Sequence, residues 1–129
     1  MRSAAPAEAL PILVVDDDSA LIRTLADILR MHGYAPTTAE TGEEGLAIAE
    51  HQKPMLAVVD LRLKRGSGRD VVTATPADIP VIIFSGVPSE SAELERIRPR
   101  TRLIEKPYSL VLLVETLEEM LSPSQNLQS

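Results

Sequence analysis

Four short apolar runs, each ending in a polar residue, constrain this chain more than any other feature. Ile12-Leu13-Val14-Val15 runs into Asp16-Asp17-Asp18, Val58-Val59 ends in Asp60, Val81-Ile82-Ile83-Phe84 ends in Ser85-Gly86, and Leu103-Ile104-Glu105 leads to Lys106-Pro107. Runs so short and so continuously apolar read as strands buried on both faces. Helix-like segments alternate with them along the chain, which predicts a parallel sheet with helices on both sides. Ligands bind at the carboxyl edge of such a sheet, so the polar ends of the runs should meet in one candidate site.

The helix signals fall in the expected gaps. Asp18 or Ser19 can cap a first helix whose apolar stripe is Leu21, Leu25, Ile28 and Leu29, and Gly33 ends it in a left-handed turn. A second strand, Tyr34 to Thr38, leads to Thr41-Gly42-Glu43-Glu44, a capping box for a helix reaching about His51. Pro54 precedes strand three, read as Met55 to Val59, and Gly66-Ser67-Gly68 opens a short third helix ending near Ala74. Pro80 precedes strand four, Pro88-Ser89 opens helix four, and Pro99 ends it before strand five, Arg102 to Glu105. Ser109 caps a last helix with Leu110, Leu113, Val114, Leu117 and Leu121 as its core face. Residues 1–9 and 122–129 lack periodicity and are expected to be disordered, leaving one domain over residues 10–121.

Composition narrows the function classes. A chain of 129 residues with 44% hydrophobic content can bury one core, but with no Trp and only Phe84, Tyr34 and Tyr108 that core is aliphatic. Stacking platforms for bases or sugars are therefore not expected, and a net charge of −6 argues against direct nucleic-acid binding. The absence of Cys excludes disulfides and thiolate metal sites, and no run has the length of a signal peptide core or a membrane span, so a cytoplasmic location is expected.

Carboxylates packed at one strand edge repel each other by about 4 kcal/mol per pair at 4 Å and an effective dielectric near 20. A cation must offset that, and Mg2+ is the natural candidate because it takes oxygen ligands and bridges to phosphate. An acidic pair, a single Asp, a hydroxyl and a Lys together suit magnesium-dependent phosphoryl chemistry. In this order they resemble the receiver domain of two-component response regulators, a resemblance covering almost all of residues 10–121.

The resemblance implies a flavodoxin-like (βα)5 fold with strand order 2-1-3-4-5. It implies that Asp60 is the phosphoacceptor, that Asp17 and Asp60 bind Mg2+ directly, that Asp16 acts through water, and that the backbone carbonyl of Arg62 is a further ligand. Lys106 and Ser85 would contact the phosphoryl oxygens, and Gly86 would leave room for them. The donor would be a histidine kinase or a histidine phosphotransfer protein, and the output a change in protein–protein interactions with a downstream partner of unknown identity. Such a domain is a self-phosphorylating and self-dephosphorylating switch, not a turnover enzyme, and is expected to be a monomer or weak homodimer.

Taken singly, each motif has a plainer reading. Asp16-Asp17-Asp18 can be a helix cap, Ser85 a turn hydroxyl and Lys106 a solvated charge. Order and context raise the joint reading above these. Asp16 and Asp18 also form a strand-terminal Asp-x-Asp, as in haloacid-dehalogenase-type phosphatases, but Asp60 and Lys106 have no comparable role there. A pseudo-receiver that keeps the fold as an interaction module is the other alternative. His32 and His51 are expected at helix ends on the surface, where a cation suits the dipole. Two basic runs remain: Arg62, Lys64, Arg65 and Arg69 after the acceptor, read as solvated or as a lure for a phosphodonor, and Arg96, Arg98, Arg100 and Arg102, read as an acidic-partner site or as the pairing partners of Glu93 and Glu95.

Departures from the family lie in the second half. Leu103 stands where receivers usually carry Tyr or Phe, so a rotating aromatic cannot report phosphorylation, and Tyr108 does not substitute for it. Lys64 stands where Pro is usual, which predicts a looser loop. The short interval from Asp60 to Ser85 allows helix three only about two turns. An intact phosphorylation site with atypical output is the resulting expectation.

Overall fold

The computed structural model describes residues 9–86, 88–105 and 109–122, with the main chain alone for 88–91. The expected disorder of 1–8 and 123–129, and the expectations for Lys106, Pro107 and Tyr108, lie outside the described residues. Strands and helices alternate as β1 (Leu10–Val15), α1 (Ser19–Met31), β2 (Tyr34–Ala39), α2 (Gly42–Gln52), β3 (Leu56–Asp60), α3 (Gly68–Ala74), β4 (Val81–Ser85), α4 (Pro88–Ile97), β5 (Thr101–Glu105) and α5 (Leu110–Leu121). The five strands form one parallel sheet in the order β2-β1-β3-β4-β5.

Side-chain alternation along the inner strands builds two aliphatic layers. Ile12, Val14, Val58, Ile82, Phe84 and Ile104 pack on one face with Leu25 and Leu29 of α1 and Leu113 and Leu117 of α5. Leu13, Val15, Ala57, Val59, Val81 and Ile83 pack on the other with Ala49 of α2, Val71 and Val72 of α3 and Leu94 of α4. Every residue of β3 and β4 is buried, as their unbroken apolar runs require, whereas the outer strands β2 and β5 are partly exposed.

Local signals set the helix ends. The Asp18 carboxylate accepts from the Leu21 N–H at 3.1 Å, and Gly33 follows α1 with φ 89°. Thr41 Oγ1 accepts from the Glu44 N–H at 3.1 Å while Glu44 Oε1 accepts from the Glu40 N–H at 3.0 Å, so the reciprocal arm reaches one residue further back than an ordinary capping box. Ser67 and Ser109 cap α3 and α5. β1 begins at Leu10, two residues before the apolar run, and three other strands differ from the sequence expectation by one residue at one or both ends. β2 extends to Ala39, β3 runs Leu56–Asp60 because Asp60 still pairs with Phe84, and β5 begins at Thr101, paired with Val81.

Several polar expectations change. Glu93 pairs with Arg69 of α3 at 3.1 Å, and Glu95 accepts from the Leu103 N–H, so neither meets the Arg96–Arg102 run. Within that run Arg98 donates to the carbonyls of Pro76 and Ile79 and Arg100 to that of Asp78, while Arg102 pairs with Glu119 at 2.8 Å. The side chains of Arg98, Arg100 and Arg102 thus brace neighbouring segments. His32 closes α1 and its Nδ1 lies 3.2 Å from Glu118 on α5, joining two helices of the same layer.

Candidate functional site

The register of the inner strands creates the site. Val15 pairs with Val59, so Asp16 and Asp60 leave the carboxyl edge side by side, and Asp60 pairs with Phe84, which places Ser85 one step further on the adjacent strand. Asp16 is 1% exposed, Asp60 2% and Ser85 0%, whereas Asp17 is only partly covered. Carboxylate oxygens of Asp16, Asp17 and Asp60 lie within 4.8 Å of one another. The sequence expectation thus holds for the convergence of these three groups; Lys106 lies outside the described residues.

Main-chain donors orient each carboxylate. Asp16 Oδ1 accepts from the Asp18 N–H at 2.9 Å, which links the acidic pair to the cap of α1, and the Asp16 N–H donates to Ala39 O at 3.1 Å. Asp60 Oδ1 accepts from the Arg62 N–H at 3.0 Å, turning the β3–α3 loop back over its own strand end. Asp17 Oδ2 accepts from the Lys64 N–H at 2.7 Å, a bond that crosses from the β1 end to the β3–α3 loop. Beside the looser loop expected from Lys64 stands a contact the expectation did not include: a residue other than proline brings an N–H, and that N–H bonds the loop to Asp17.

The same loop is held from below. The Gly42 N–H donates to Arg65 O at 2.9 Å, and a Cβ on Gly42 would lie 2.5 Å from the Ser67 nitrogen. A Cβ on Gly68 would collide with the Asp60 carbonyl oxygen, so this glycine lets the start of α3 pass directly against the strand that carries Asp60. Gly86 is exposed, and among the described residues nothing lies within 4 Å of where its Cβ would stand, which is consistent with space at that edge.

Chemically, the pocket is an all-oxygen donor set at a sheet edge. Among the described residues, three carboxylates with no nitrogen or sulfur ligand suit a hard divalent cation that keeps some of its water, and Asp16, Asp17 and Asp60 are the side chains that could hold it. A five-stranded, doubly wound parallel α/β domain with an acidic pocket beyond β1 and β3 is the class that fold and site define.

The comparisons narrow that class. The family profile of the response regulator receiver domain matches residues 12–118, and the chain belongs to this family of two-component signalling domains. It is 32% identical over 114 residues to the transcriptional regulatory protein PrrA of Mycobacterium tuberculosis (strain H37Rv), covering 85% of this chain and 49% of that protein. It is 42% identical over 78 residues to the acid tolerance regulatory protein ActR of Rhizobium meliloti (strain 1021), covering 58% of this chain and 40% of that one. The chain thus spans two fifths to one half of the length of these curated relatives. Among solved structures, a CheY-like response regulator receiver domain protein from Methanospirillum hungatei JF-1 superposes with a TM-score of 0.80 at 28% identity, over 94% of this chain and 99% of that one. No helix among the described residues is long and apolar enough to cross a membrane.

Reading side-chain types missed the contacts made by the main chain. The Lys64, Gly42 and Leu103 N–H groups all contribute to the site or to its flanking elements, and no side-chain pattern announces them. Lys64 did carry a signal, as a residue with an N–H at a position where proline would have none.

Proposed function

We propose that this domain accepts a phosphoryl group on Asp60 and uses the modification to switch protein–protein interactions. The observation that carries the reading is the convergence of the Asp16, Asp17 and Asp60 carboxylates within 4.8 Å at the carboxyl edge, in a chain that belongs to the receiver family. The donor is a phosphohistidine on a histidine kinase or phosphotransfer protein. An Asp60 carboxylate oxygen attacks phosphorus, a phosphorus–oxygen bond forms as the phosphorus–nitrogen bond breaks, and imidazole leaves, giving an acyl phosphate.

Asp60 is suited to this role because the Arg62 N–H fixes one of its oxygens. Asp17, Asp60, the Arg62 carbonyl and, through water, Asp16 would hold Mg2+, which when bound offsets the negative charge of carboxylates and phosphoryl oxygens. Ser85, buried at the end of β4, supplies a hydroxyl to the phosphoryl group, Gly86 supplies space, and Lys106 supplies a positive charge. The domain works as a switch that gains and loses its own phosphoryl group, and turnover of a separate substrate is not part of its role.

Intact mass measured after incubation with acetyl phosphate and Mg2+ tests the proposal. A labile phosphoryl adduct that requires both Mg2+ and Asp60, and is absent from Asp60→Ala, is the expected result. Failure to form the adduct, together with failure to bind beryllofluoride, would replace the proposal with the pseudo-receiver reading.

A further inference from the structure

We infer that the main-chain N–H of Lys64 is a positioning donor that makes Asp17 a single-oxygen ligand and so favours Mg2+ over larger cations. The inference rests on the proposed Mg2+ site. At 2.7 Å, the bond from the Lys64 N–H to Asp17 Oδ2 is shorter than the 2.9 Å bond from the Asp18 N–H to Asp16 and the 3.0 Å bond from the Arg62 N–H to Asp60. It joins residues 47 positions apart, so it exists only once β1 and the β3–α3 loop are in place.

The chemical consequence follows from the two oxygens of a carboxylate. With Oδ2 held by an N–H, Oδ1 is left as the one strong donor, and the carboxylate cannot swing to chelate an ion through both oxygens. Mg2+ demands a compact, near-octahedral shell, whereas Ca2+ accepts more oxygens at longer and more variable distances, including bidentate carboxylates. Fixing Asp17 in a one-oxygen posture therefore favours the smaller ion. Hydrogen bonds to ligating carboxylates commonly govern metal affinity by about 10- to 100-fold.

The geometry also explains why the loop keeps this posture. Arg65, the residue after Lys64, is held through its carbonyl by the Gly42 N–H at 2.9 Å, and Gly66, at φ 81°, packs with its Cα against Gly42. The donor is thus anchored on both sides, by Asp17 above and by the amino end of α2 below. The Lys64 side chain is exposed and no part of the contact, so the role belongs to the main chain.

The test compares Mg2+ and Ca2+ affinity, by calorimetry, in the unaltered chain, in Lys64→Ala, in Lys64→Pro and in a semisynthetic chain with an ester in place of the amide at Lys64. Lys64→Ala keeps the N–H and should keep the unaltered chain's ratio of Mg2+ to Ca2+ affinity, since losing the side-chain charge shifts both ions alike. The ester chain, which keeps the side chain and backbone freedom, should lose about tenfold in Mg2+ affinity while its Ca2+ affinity stays level or rises. Lys64→Pro should behave like the ester chain, and thermal unfolding checks that each variant is folded. Unchanged or tighter Mg2+ binding by the ester chain would overturn the inference, as would an equal loss for both ions, which marks a purely structural role. Absence of Mg2+ binding by the unaltered chain would sink the proposed function and this inference together.

Discussion

The carboxylate of Glu95 on α4 accepts a hydrogen bond from the main-chain N–H of Leu103 on β5 at 3.1 Å. β5 is an outer strand, so this N–H points to where a further strand would pair, and the carboxylate takes the place of that strand's carbonyl. The contact ties α4 to the position where receivers usually carry an inward-turning aromatic. On its other flank α4 is tied to α3 by Glu93 and Arg69.

Glu95→Ala should therefore expose the Leu103 N–H. Native-state hydrogen exchange should show that amide exchanging about tenfold faster, while Glu95→Gln, which keeps an acceptor oxygen, should retain part of the protection. Equal exchange in all three proteins would show that the carboxylate does not guard the strand.

Gly68→Ala places a methyl group against the Asp60 carbonyl oxygen. Neither partner is a flexible side chain, so the β3–α3 loop must shift, at a cost of about 1–3 kcal/mol. Urea unfolding should show a lower midpoint with an unchanged slope, and the same shift should weaken Mg2+ binding because Asp60 and Arg62 move with it.

Arg98 bridges the carbonyls of Pro76 and Ile79 from the end of α4. Burial holds its guanidinium below the usual arginine range, against the opposite pull of Asp78. Arg98→Met should cost about 2 kcal/mol in chemical unfolding, because two carbonyls lose a charged donor. Arg98→Lys should recover only part of the loss, since an ammonium cannot reproduce the planar fork.

Tyr34, at the start of β2, has its phenol pKa raised above the ordinary value of 10.0, first by burial and then by the charge of Glu118. The neutral phenol is the form the fold favours. Its contribution to stability is fully present below the unfolded value and is lost as pH rises through the higher folded one. In a Tyr108→Phe background, phenolate absorbance should show Tyr34 titrating above free tyrosine, and Glu118→Gln should bring it part of the way down. A Tyr34 that titrates as a free phenol would rule out the burial effect.

Millimolar Mg2+ should raise the thermal midpoint of the unaltered chain, since a ligand that binds only the folded site stabilises it by mass action. Asp17→Asn should reduce that response strongly. A full response in the variant would place the ion elsewhere.

The chemistry of the carboxyl edge was readable from residue order because inner strands must be apolar on both faces, so Asp16, Asp60 and Ser85 stand out as the first polar groups beyond them. The two-turn α3 was readable from chain length alone. Other features depend on what the fold brings together. Pairing of Glu93 with the arginines beside it in sequence was one of two readings of that run, yet Glu93 reaches Arg69 because α3 and α4 are neighbours in the folded layer. Lys64 was read through the angle proline would have fixed, whereas the decisive difference is the N–H proline would have removed. Lys53 and Arg100 adopt left-handed backbone angles, with φ 47° and 52°, that neither residue type advertises.

Among the described side chains of α4, Leu94 is buried in the core, while Glu93 and Glu95 make exposed polar ties to α3 and β5. Apolar burial is lost only when a helix leaves the core, but exposed polar ties can be exchanged for water one at a time. α4 should thus behave as a separate, low-cost opening unit whose local unfolding free energy falls well below that of the β1–β3–β4 centre. A signal arriving at β4 then needs little energy to be felt at this helix, and raised ionic strength should weaken its Glu93–Arg69 tie to α3.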